Sequence, residues 1–110
     1  MATKILFTLT MPGRNSWNGR WSGDGNVYAR VRTFSAPKRH AETIKRILSQ
    51  PNYTYDFGDG WVAQVAVREI KSDEAQKIMK KSVGFAGYEW FIESIVKYGK
   101  IMSDSKIKAS

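Results

Sequence analysis

The sequence predicts an α+β domain. The expected form is a four-stranded, mostly antiparallel sheet with helices packed on one face, in the order ββαββαα. Three observations lead there. Period-two alternation of apolar residues marks four segments, apolar spacing near 3.6 marks three others, and Asn-Gly or Gly-Asp-Gly turn signals fall between the paired segments. A chain of 110 residues is long enough for one such domain and too short for two. Residues 1–102 are expected to form it, with 103–110 a polar, frayed tail.

Ile5 to Thr10 reads as the first strand, with Ile5, Phe7 and Leu9 on one side and Thr8 and Thr10 on the other. Pro12-Gly13 ends it. A Gly-, Asn- and Ser-rich segment follows, in which Ser16 to Ser22 has the form of a miniature hairpin around Asn18-Gly19, the preferred pair for a type I′ turn. Asn26 to Phe34 alternates again: Val27, Ala29 and Val31 face one way, and Tyr28, Arg30, Arg32 and Phe34 the other. Ser35 to Ser49 is predicted to be a helix. Ser35 is placed to cap it, Pro37 suits its first turn, and Ala41, Ile44, Ile47 and Leu48 form its apolar stripe.

Tyr53–Phe57 and Trp61–Ile70 alternate around Gly58-Asp59-Gly60 and predict a second hairpin. Asp73-Glu74-Ala75-Gln76 places acids where a helix N-terminus favours them, and that helix is expected to reach about Ser82. A more apolar helix follows through Tyr88, Phe91, Ile92, Ile95 and Val96, with Gly99 as its C-cap.

Composition narrows the function classes. There is no cysteine; a small secreted domain usually needs disulfides, so a reducing, cytoplasmic setting is expected. The first apolar stretch ends at Pro12, too early for a signal peptide or a membrane span, so no membrane partner is expected. The net charge of +8 is lopsided. Residues 1–50 hold nine Lys/Arg against two acids, net +7, and residues 51–110 hold nine against eight, net +1. Such a field favours a polyanionic partner: nucleic acid, an acidic protein surface or a phosphorylated ligand.

With one histidine and no cysteine, no zinc or iron site of the common kinds can be assembled, and neither cofactor nor metal is expected. His40 falls off the apolar stripe of a basic helix and reads as a surface residue. No P-loop or G-x-G-x-x-G is present. One catalytic pattern stays in view. Asp56 and Asp59 precede Glu69-Ile70-Lys71, and an acid followed by Glu-x-Lys is how some metal-dependent nucleases hold magnesium. Here, though, the turn acid and the strand-end acid are far apart at about 3.3 Å per residue.

The residues that point to binding lie in the basic half. Arg14, Asn15, Trp17, Asn18, Arg20 and Trp21 crowd into eight positions, and Trp with Arg is the pairing of interface hot spots and of base-stacking sites. The alternative is that one or both tryptophans close the end of the core. Tyr28, Arg30 and Arg32 share a strand face; if the helices cover the opposite face, they form an open platform of the kind single-strand binders present. Lys38 and Arg39, with Lys45 and Arg46, extend the basic surface along the helix. The sheet edges also permit a homodimer.

Trp17-Asn18-Gly19-Arg20-Trp21-Ser22-Gly23, together with Gly87-Tyr88-Glu89-Trp90 and Tyr98-Gly99-Lys100-Ile101, resembles a set of small uncharacterised proteins carried by bacteriophages and mobile elements of Gram-positive bacteria. The resemblance implies a counter-defence role, including anti-CRISPR inhibition, by stoichiometric and non-enzymatic binding to a bacterial defence protein or its guide RNA. The basic charge departs from the acidic DNA mimics among such inhibitors. It is more consistent with covering an acidic protein patch, gripping guide RNA or sequestering a charged nucleotide. A phage nucleic-acid-binding accessory protein is the alternative, and a divergent metal-dependent nuclease the third reading.

Overall fold

A computed structural model describes residues 2–11, 28–58, 61–81, 85 and 87–109. Its elements are β1 (Thr3–Thr10), β2 (Tyr28–Phe34), α1 (Ala41–Ser49), β3 (Asn52–Gly58), β4 (Trp61–Ile70), α2 (Ser72–Lys81), α3 (Glu89–Tyr98) and α4 (Asp104–Ala109). The four strands form one antiparallel sheet in the order β2-β1-β4-β3, in line with the expected α+β class and, as far as α3, with the expected element order. The segment expected to fray carries α4, a helix of six residues lying against α3.

Register assigns every side chain to a face, because strand residues alternate. Ile5 pairs with Arg32 and Glu69, Phe7 with Arg30 and Val67, and Leu9 with Tyr28 and Val65. On this face Ile5, Phe7, Leu9, Phe34, Tyr53, Ala63, Val65 and Val67 meet Ile47 of α1 and Phe91, Ile92 and Ile95 of α3 in the main core. Fully burying one such aliphatic or aromatic side chain contributes roughly 1.5–3 kcal/mol.

The expectation of helices on one face holds for α1 and α3, while α2 takes the other. Leu6, Ala29 and Ile70 project to that opposite face, where Ala75 buries against them and Val31 and Ile78 close a second, smaller cluster. The cause is legible in the strands: β1 and β2 are apolar on both sides at Leu6, Ala29 and Val31. The rest of this face, around Thr10, Asn52, Thr54 and Gln64, is exposed and polar.

The first helix begins later than expected. Pro37–His40 form a turn, with the Arg39 and His40 amides both donating to the Ala36 carbonyl at 3.1 and 3.2 Å. α1 starts at Ala41 with His40 rather than Ser35 at its N-cap position. Pro37 accounts for the loss of a Ser35 cap, since the residue before a proline, Ala36, is pushed out of the helical region. Gly99 ends α3 as expected, at φ 74°, its amide donating to the Ile95 carbonyl. The Arg46 guanidinium donates to the Val96 carbonyl, a cation on the negative end of α3.

Candidate anion-binding surface

Arg30 and Arg32 do not stand on an open platform. Their register puts them on the core face, at the edge strand β2, beneath α3. There Arg30 pairs with Glu89 at 3.8 Å, and Arg32 donates to Glu93. The fit is metric: two residues of strand advance about 6.6 Å and four residues of helix about 6.0 Å. The i, i+2 arginines therefore match the i, i+4 glutamates rung for rung. Tyr28 and Phe34, at either end of the same face, pack into the main core, which is why the alternation that seemed polar turns inward. A small cleft of about 200 Å³ between these elements is lined by both arginines and both glutamates, so its charges offset.

Part of the remaining basic charge is at the corner joining β2 to α1. Lys38 and Arg39 are exposed, and neither has a salt-bridge partner among the described residues. Beside them opens a cleft of about 320 Å³ whose polar lining is Arg32, Thr33, Ser35, Arg39, His40 and Thr43, with Phe34 also lining it. No acid lines it. His40, expected to be a plain surface residue, is half-buried here with its ring edge-on to Phe34 at 5.5 Å between centroids. The signal that sequence reading missed is the proline turn, which rotates His40 off the outer helix face and towards β2.

A second grouping also escaped the sequence. Tyr55 stands edge-on to Phe57 at 4.8 Å and to Trp90 at 5.4 Å, while Trp90 meets Phe91 at 4.2 Å and Tyr88 stacks on Phe91 at 5.5 Å. Phe57 is 42% exposed, the most exposed large apolar side chain among the described residues. This ledge lies along β3, the edge opposite the basic corner. The available cue was Tyr55 and Phe57 at strand spacing, together with three aromatics within Tyr88–Phe91.

Arg14, Asn15, Trp17, Asn18, Arg20 and Trp21 lie outside the described residues. Of the acids considered for metal, Asp56 pairs with Val62 and Glu69 with Ile5. They therefore point to opposite faces, seven β4 residues apart, a span of about 23 Å. The Asp56 carboxylate is engaged locally, accepting from the Gly58 amide at 2.7 Å; Asp59 lies outside the described residues. No three His, Asp or Glu among the described residues converge as a metal site would require. No helix is long and apolar enough to cross a membrane among the described residues.

No protein family, curated protein or solved structure matches this chain.

Proposed function

We propose that this protein works by stoichiometric, non-enzymatic binding to a polyanionic partner through its basic half. The setting is that of a phage-type inhibitor of a bacterial defence system, engaging a defence protein's acidic surface or its guide RNA. One observation carries the reading. Once Arg30 and Arg32 are offset by Glu89 and Glu93, the other cations of the first fifty residues are Lys38 and Arg39 at the corner, Lys4, Lys45 and Arg46, and in the sequence Arg14 and Arg20. Exposed cations with no acid paired to them among the described residues, as at Lys38 and Arg39, keep their field for an incoming anion, and such a field steers association.

The test is affinity purification of the tagged chain from a bacterial lysate carrying a defence system, with both bound protein and bound nucleic acid identified. Recovery of a defence nuclease or its RNA, reduced by Lys38→Ala together with Arg39→Ala, is expected. Recovery of neither defeats the inhibitor reading. Direct binding to RNA or DNA that weakens steeply with salt, in the absence of any defence protein, favours a nucleic-acid-binding accessory role instead.

A further inference from the structure

We infer that the cleft between the end of β2 and the start of α1 is a site for a phosphate monoester, the group carried by a mononucleotide or by the 5′ end of a phosphorylated strand. The inference rests on the polyanion reading and names a ligand for one part of that surface.

The cleft is built from donors. Arg39 offers a guanidinium fork, Ser35 and Thr43 offer hydroxyls, and His40 offers a ring N–H. A phosphate monoester supplies three terminal oxygens and close to two negative charges, so it can use several of these donors at once. Planar arginine donors also suit phosphate geometry.

The walls are held in place. Phe34 is 5% exposed and lines the cleft; His40 stands on its ring edge at 5.5 Å, and the Arg32 guanidinium lies 5.9 Å from its centroid. Arg32 is fixed from behind by Glu93, so it serves as a wall rather than as surplus charge. The net attraction comes from Arg39 and from the donor end of α1. Glu42, the acid of that first turn, is exposed and does not line the cleft. At about 320 Å³ the volume is at the lower end of small-molecule sites, roughly 300–1,000 Å³. It therefore suits a phosphate with its sugar better than a long duplex.

The test is isothermal titration of the full chain with four probes: adenosine, adenosine 5′-monophosphate, and a ten-nucleotide single strand with and without a 5′-phosphate. The monophosphate is expected to bind, with adenosine at least tenfold weaker. Arg39→Ala and His40→Phe are each expected to weaken the monophosphate about tenfold, the loss of one charge-assisted contact. Lys80→Ala, exposed on α2 and outside the cleft, should change it less than twofold. If His40→Phe fails to fold, Arg39→Ala carries the test, because its side chain is exposed. A 5′-phosphorylated strand that binds tenfold better than the monophosphate identifies a strand end as the source, whereas equal binding identifies the free nucleotide. The inference is overturned if adenosine binds as well as its monophosphate, if Arg39→Ala and His40→Phe both bind as the parent does, or if no phosphate probe binds. A phosphate-free strand that binds as tightly as the phosphorylated one also overturns it, yet leaves the broader polyanion reading standing; that reading falls separately, on an empty affinity purification.

Discussion

The phenol of Tyr53 donates a hydrogen bond to the carbonyl of Ile47 at 3.2 Å, tying β3 to the end of α1. The helical partner for that carbonyl would be the amide of residue 51, and Pro51 has none. Tyr53 therefore supplies the donor that the chain lacks. Both residues are almost wholly buried, so Tyr53→Phe should cost about 1–3 kcal/mol by orphaning the carbonyl, measured by urea unfolding.

The same residue predicts an alkaline limb. Burial raises the Tyr53 pKa above 10.0, and the positive charge of Arg46 only partly opposes it. A pKa raised by folding gives stability that is fully present below the unfolded value and is lost as pH climbs through the folded one. Stability is therefore expected to decline from about pH 10 upward. Tyr53→Phe should flatten that limb, as read from unfolding midpoints between pH 9 and 11.

At the acid end, the hydrogen bond from Arg68 holds the Glu74 carboxyl below its ordinary 4.5. A lowered pKa gives stability present above the unfolded value and lost as pH falls through the folded one. The Glu74 carboxyl carbon, followed by NMR, should titrate below its ordinary value in the parent and return to it in Arg68→Ala. No displacement between the two would show that the pair does not persist in solution.

Gly99 combines a left-handed φ of 74° with a close neighbour: a Cβ there would meet Arg46 Cδ and Nε at 3.0 Å. The backbone strain of a non-glycine residue in this conformation is of order 1–2 kcal/mol, and moving Arg46 also disturbs its bond to the Val96 carbonyl. Gly99→Ala should lower stability by about 1–2 kcal/mol. The loss should shrink when Arg46→Ala is added, a coupling that a double-mutant cycle measures.

Glu89→Gln with Glu93→Gln should release Arg30 and Arg32 without unfolding the protein. The four side chains are 36–55% exposed, and exposed pairs contribute only about 0.2–1 kcal/mol each. Affinity for a single-stranded nucleic acid is expected to rise, and the salt dependence to steepen by about one for each added phosphate contact. Unchanged affinity would mean that those arginines point away from the partner.

Alternation and turn chemistry made the strands and three of the helices legible, β4 to the residue and the others to within about two residues at each end, except that α1 starts six residues after Ser35. Alternation did not reveal which face of β2 would be covered. Arg30 and Arg32 look solvent-facing in isolation, and only the register with Phe7 and Ile5 places them under α3. Their partners are some sixty residues away, and no local pattern reports a pairing at that distance. The cleft was hidden for a similar reason, since it joins Phe34 and Ser35 to the turn at His40 and to Val96 of α3. Ser94 is another such case. It is fully buried in α3, donating to the Lys100 carbonyl at 2.7 Å and accepting from the Met102 amide, so its hydroxyl anchors the segment that leaves the helix.

The strand order has a consequence for how the molecule comes into being. β1 is central, and one of its two neighbours is β4, so Lys4 pairs with Ile70. Until Ile70 has been synthesised, the basic half has only a two-stranded ribbon, which is marginal in water by itself. Pairing over such sequence distances is slow, because the chain must lose loop entropy before the contact forms. The charged corner thus cannot be excised as a working peptide: its geometry exists only after the last strand has docked.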